Sequence, residues 1–222
     1  MSLSVSFYRP LDYFGSMFNK VVSWVTSGEF CHCELVIHTT PEDIMTTVKE
    51  IYAAAQKGEY KEDCNRIITQ IEMNFFDTGF RKLATTRKNM VLSFSLLWGH
   101  PMMVRVLQET SHDSWFRLPS ANDKLVTMLN GPEVTREQYM QTLKFSIEEL
   151  GKHYNNTGAI CSVLPSFYSG EQKNRSVTYF CSEFVVMVYQ RLGFMPGLDA
   201  EHTTPNSLFN YIKSSDNTIE TS

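Results

Sequence analysis

The sequence predicts an α+β protein in which a mainly antiparallel sheet packs against helices. Short runs rich in Val, Ile, Leu and Phe, bounded by turn residues, read as strands, and segments with apolar residues at three- and four-residue spacing read as amphipathic helices. The chain carries neither an internal repeat nor a low-complexity block, and 222 residues suit one domain with its own core.

"SVSFYRP" reads as a first strand stopped by Pro10. Phe14, Met17, Phe18, Val21, Val22 and Val25 then recur at helical spacing, with Gly28 as the stop. "FCHCELVIH" is a second strand, with His32, Glu34 and Val36 on one face and Cys31, Cys33, Leu35 and Ile37 on the other. A helix from about Glu42 to Lys57 begins with acidic residues in its first turn and ends near Gly58.

Residues 66–76 and 89–108 alternate or run apolar and read as strands, and "WGHP" turns between two strands in the second segment. "SWFRLP" is a further strand candidate, and "SANDKLVTMLNG" reads as a short capped helix ending at Gly131. Thr135 and Gln138 stand in capping-box spacing ahead of a helix that places Tyr139, Leu143, Ile147 and Leu150 on one face. The segment after Cys181 is apolar nearly all round, which predicts a central, buried helix. Thr204 and Pro205 announce the last helix, and "SSDNTIETS" has the aperiodic pattern of a frayed tail.

A net charge of −4 and the lack of a Lys/Arg cluster argue against nucleic acid as a partner. No apolar run approaches the ~18 residues of a membrane span, and the N-terminus lacks a signal-peptide pattern, so an intracellular protein without a membrane span is expected. Five cysteines at irregular spacing suit reduced thiols better than a disulfide framework. The sequons at Asn155 and Asn174 read as chance.

Cys181 directly precedes the buried helix, where unpaired N–H groups and the positive end of the dipole favour a thiolate. Free cysteine is equally at home as a small core residue. His32 is the candidate base, 149 residues earlier (181 − 32), so only the tertiary fold can join the two. Glu34 shares its face, but as a neighbour along the strand, so an orienter from an adjacent strand is the better expectation and Ser93 and Ser95 are the polar candidates. A zinc site at "CHC" is disfavoured because alternation sends His32 away from both cysteines. No phosphate loop or serine elbow is present, and no cofactor is expected.

"VSFYRP", "FCHCELVIH", "GKHYNNTG", "YFCSEFVVMVYQRLG" and "TTPNSLFNYI", in that order, resemble the circularly permuted papain-like, NlpC-type cysteine hydrolases, which include bacterial members and members encoded by poxviruses and other large DNA viruses. The resemblance implies a permuted papain-like fold over residues 1–213, with an insertion at about 41–88 and a flexible tail at 214–222. It matches Cys181 to the family nucleophile and His32 to the family histidine, with Ser182 and Glu183 completing the helix start that bears the oxyanion site. Gly151 and Tyr154 match "G-x-x-Y", and Tyr154 is the candidate substrate-binding residue. The third catalytic residue has no clear match, which leaves Ser95, Ser93 and Glu34 as candidates. The implied chemistry is hydrolysis of, or acyl transfer from, a peptide, amide or acyl-ester substrate. The alternative is a non-catalytic structural or interaction protein on the same scaffold, partnered with other virion proteins as a viral particle or minor capsid component.

Overall fold

The computed structural model describes residues 2–10, 28–109, 111, 117–119, 124–156, 158–159 and 178–219, with side chains in the last stretch as far as 215. The expected helix over 14–25 lies outside these residues, as does the first half of "SWFRLP", in whose second half Arg117 forms an isolated bridge with Gln108.

Five strands, β1 (Ser2–Tyr8), β2 (His32–Thr39), β3 (Met90–Ser95), β4 (Met103–Leu107) and β5 (Val126–Asn130), form an antiparallel sheet in the order β4-β3-β2-β1-β5. The helices are α1 (Pro41–Gln56), α2 (Cys64–Phe75), α3 (Thr78–Thr86), α4 (Arg136–Glu148), α5 (Cys181–Arg191) and α6 (Pro205–Ile219). Two short parallel strands, β6 (His153–Tyr154) and β7 (Thr178–Tyr179), lead into α5. The α+β architecture expected from the sequence is therefore present.

Strand alternation gives the sheet two unlike faces. Leu3, Val5 and Phe7 of β1, Cys33, Leu35 and Ile37 of β2, and Leu92 and Phe94 of β3 fall on one face and join a single apolar core. Ile44 and Val48 of α1, Ile67 and Ile71 of α2, Tyr139 and Leu143 of α4, and Phe184 and Val185 of α5 complete that core. Each such side chain contributes about 1.5–3 kcal/mol on burial. The opposite face carries Ser4, Ser6, His32, Glu34, Ser93, Ser95 and Arg105, all of them buried. Buried polar groups need hydrogen-bond partners, and on this face His32, Ser93 and Arg105 find one in Glu34 and Ser4 reaches Asn130, while the Ser6 hydroxyl has none among the described residues.

Local signals set the helix ends. The Thr40 hydroxyl accepts from the Asp43 amide at 3.2 Å ahead of Pro41, and Gly58, at φ +81°, follows the C-terminal turn of α1. Thr135 and Gln138 form the expected reciprocal capping box at 3.2 and 3.0 Å. Thr204 caps α6, accepting from the Ser207 amide at 3.2 Å.

Three elements differ from expectation. Of residues 66–76, all but the capping Phe76 belong to helix α2, because Ile67, Ile71 and Phe75 repeat every four residues and it is that stripe that is buried. Val126–Asn130, expected to be helical, is a strand: it pairs with β1, whose outer edge would otherwise leave its N–H and C=O groups unpartnered. Helix α6 runs to Ile219, so the tail boundary expected at 214 falls inside it, and the Ser214 and Ser215 hydroxyls both donate back to the Tyr211 carbonyl. Among the described residues no helix is long and apolar enough to cross a membrane.

Candidate active site

Several hydrogen bonds fix the start of α5. Tyr154 pairs with Tyr179, and the Asn155 amide donates to the Tyr179 carbonyl at 2.7 Å, which ties β6 to the chain entering the helix. Phe180 at the N-cap has no side-chain acceptor to offer, and the Glu183 carboxylate reaches back to the Phe180 amide at 3.1 Å. Ser182 donates to the Thr203 carbonyl at 2.6 Å, anchoring the same turn to the chain ahead of α6. Cys181 is thereby held as the first residue of the helix, only 5% exposed, with its sulfur near the positive end of the dipole.

The groups around that sulfur favour the thiolate. A hydrogen bond from the Cys33 thiol, the charge and hydrogen bond of His32, and a backbone hydrogen bond from Cys33 together outweigh burial and hold the Cys181 pKa well below its ordinary value. The Tyr154 hydroxyl also hydrogen-bonds to Cys181; burial first, and then the Cys181 charge, push its own pKa well up, so it stays a proton donor. Cys31 and Cys33 behave in the opposite sense. Burial, reinforced by the neighbouring Cys181 charge, raises Cys31 to about 12 and moves Cys33 up as well, so both remain thiols.

His32 opens β2 and interacts with both Cys181 and Glu34. Burial alone would lower its pKa, but the Cys181 charge and hydrogen bonds to Cys181 and Glu34 raise it to about 9. At neutral pH it is an imidazolium, and both ring nitrogens donate. The Nε2–H group points to Glu34 Oε1 at 3.1 Å, with Ser95 Oγ 3.5 Å from the same nitrogen, which leaves Nδ1 for the sulfur.

Glu34 is the hub behind the ring, and it is fully buried. While Oε1 faces His32, Oε2 accepts from the Tyr8 hydroxyl at 2.8 Å, from the Ser93 hydroxyl at 2.5 Å and from Arg105 Nη2. Burial works against the charged form, but Arg105, His32 and Ser93 overcome it and hold the carboxyl at about 2.

All the predicted site residues take part in this arrangement or in its scaffold. Cys181 interacts with His32 and Tyr154, and His32 is hydrogen-bonded to Glu34. Ser95 stands at the edge of hydrogen-bond reach of His32, whereas Ser93 contacts Glu34. Ser182 and Glu183 secure the helix start by their side chains and do not face the thiol. The expectation that an adjacent strand supplies the better orienter is corrected: two residues along one face lie about 6.5–7 Å apart, a gap that the Glu34 side chain spans. Gly151, at φ +81°, has Gln70 packed where a Cβ would sit, at 2.8 Å, so its role is in the backbone.

Three contributors escaped the sequence reading. Tyr8 is the register partner of His32 across β1 and β2, Arg105 is the partner of Ser93 across β3 and β4, and Cys33 interacts with Cys181 from the other face of its strand. A buried arginine in a strand of alternating valines, "MVRVL", was the one available sign of Arg105. The half-exposed Trp98 packs its ring 5.8 Å from that of Tyr154, at the rim of the site. Among the described residues, no group of three or more His, Cys, Asp or Glu side chains is placed to hold a metal ion. No protein-family model, curated protein or solved structure matches the chain.

Proposed function

We propose that the protein is a cysteine hydrolase or acyl transferase of the circularly permuted papain-like, NlpC type, acting on an amide, peptide or ester bond. One observation carries this reading: a cysteine at the head of a buried helix lies beside a histidine that a buried glutamate orients. That is the nucleophile, base and orienter logic of covalent acyl transfer. The order of the motifs along the chain supports the permuted family.

In this mechanism the Cys181 thiolate attacks the acyl carbon, and the carbonyl π electrons move to oxygen. The backbone N–H at the start of α5 and the Tyr154 hydroxyl are the donors available to that oxyanion. As the tetrahedral adduct collapses, His32 gives its proton to the departing nitrogen or oxygen, and a thioester on Cys181 remains. Neutral His32 then takes a proton from water, the hydroxide attacks the thioester, and Cys181 leaves as thiolate while the acid product departs. An acceptor hydroxyl or amine in place of water gives acyl transfer.

Site-resolved alkylation with iodoacetamide tests this. An ordinary thiol of pKa about 8.5 slows by about tenfold for each pH unit between 8 and 6. Cys181 is expected to keep its rate within about twofold over that range, and His32→Ala to restore the steep dependence. A steep profile in the unmodified protein would overturn the hydrolase reading and leave a non-catalytic interaction role on the same scaffold.

A further inference from the structure

Arg105, Glu34, His32 and Cys181 form a continuous chain in which the charges alternate: guanidinium, carboxylate, imidazolium, thiolate. The four side chains come from two strands, β2 and β4, and a helix, and each residue is no more than about a tenth exposed. Four buried charges are tolerable because they cancel in sequence, each sitting between or beside the opposite sign. Of the partners on Glu34 Oε2, Tyr8 and Ser93 offer neutral hydroxyls, and only Arg105 brings a charge.

We propose that Arg105 is a positioning residue of this site: it supplies the positive charge that keeps Glu34 a carboxylate, and Glu34 in turn holds the His32 ring toward Cys181. The proposal rests on the cysteine-hydrolase reading and adds the element that sets its charge balance. Without the guanidinium, Glu34, His32 and Cys181 carry one net negative charge in a buried site. The site then takes up a proton, on the carboxylate or on the thiolate. Either outcome disarms the nucleophile at low pH, the first by freeing the imidazole and the second directly.

The other titratable groups that face this chain do not supply the missing charge. Tyr8 meets Glu34 and is held neutral, chiefly by burial. Around Cys181, Cys31 and Cys33 remain thiols and Tyr154 remains a phenol, while Glu183, on the same helix, is itself acidic. Ser93 and Ser95 do not titrate. Arg105 is therefore the one cation besides His32 in contact with the network among the described residues.

The test is the pH profile of Cys181 alkylation, read by mass spectrometry on the intact folded chain. Arg105→Met is expected to move the acid limb up by at least one pH unit, a tenfold loss of thiolate at a fixed low pH, and Arg105→Lys to move it by less than half as much. Glu34→Gln combined with Arg105→Met restores neutrality, so its acid limb is expected to fall below that of Arg105→Met alone. A residue with only a structural role would leave the double variant at least as impaired. If Arg105→Met does not fold, the lysine and double variants give the same comparison. A flat profile in the unmodified protein with acid limbs unmoved in every Arg105 variant would overturn this proposal alone. A steep, ordinary profile in the unmodified protein would instead overturn the hydrolase reading beneath it.

Discussion

Replacing Cys181 with alanine tests the ion pair without any substrate, because the pair leaves a signature in the pH dependence of folding. In the unfolded chain a thiol titrates near 8.5 and an imidazole near 6.5, so below pH 6.5 each carries a proton. In the folded protein Cys181 is held well below its ordinary value and His32 is raised to about 9, so the pair carries one proton there, on His32. Unfolding takes up one proton, and stability falls by about 1.4 kcal/mol per pH unit of acidification for as long as the thiolate persists. From pH 6.5 to 5 that is about 2 kcal/mol. The raised histidine adds no slope of its own in this window, since its stabilisation is complete below 6.5 and is lost only as pH rises through 9. Between 6.5 and 8.5 both states hold one proton, and the pair contributes a plateau. In Cys181→Ala, His32 keeps Glu34 and is protonated in both states below 6.5, so the slope vanishes. His38, lowered chiefly by burial, tilts both proteins equally, and Glu34, held at about 2 against an ordinary 4.5, acts only at lower pH. Urea unfolding of both proteins at half-unit steps from pH 5 to 6.5 should show their stability difference changing by about 2 kcal/mol. Parallel curves would refute the buried thiolate.

Glu34→Gln leaves Arg105 buried beside a neutral amide, and a loss of about 3–5 kcal/mol of stability is expected in urea, more than for Glu34→Gln combined with Arg105→Met. A double variant that loses as much as Glu34→Gln alone, or more, would refute the buried charge pair. Tyr154→Phe removes a donor to the thiolate, so the alkylation midpoint of Cys181 should move to higher pH with the fold intact by circular dichroism; an unmoved midpoint would place the hydroxyl outside the site. In α2, Ile71→Ala should cost about 2–5 kcal/mol, whereas Met73→Ala, at a position 65% exposed, should stay within about 0.5 kcal/mol. Comparable effects at the two positions would count against the helical stripe.

The places of Cys181 and His32 were legible because each rests on local pattern: a cysteine where a buried helix begins, and a histidine in a run rich in strand-forming residues. The support behind them was not. Alternation assigns faces within one strand, but neighbours across strands depend on sheet order and register, which no local pattern encodes. Arg105 reaches Glu34 only because β3 lies between β2 and β4 and sets Ser93 beside Val36 on one side and Arg105 on the other. Cys33 was correctly sent to the face opposite His32, yet Cys181 meets both, because alternation is silent about what stands at the end of a strand. The α2 error has a related cause: Ile67 and Ile68 look like strand in a short window, and only the recurrence at Ile71 and Phe75 identifies the helix.

The order of parts along the chain has a consequence for biosynthesis. All five strands of the main sheet, with His32, Glu34 and Arg105, are complete by Asn130, whereas Cys181 comes well after them. At a synthesis rate of about 5–20 residues per second, the sheet that carries His32, Glu34 and Arg105 precedes the Cys181 thiol by roughly 3–10 seconds. A growing chain therefore carries the strand that bears His32 before the thiol which faces it in the folded protein has been made.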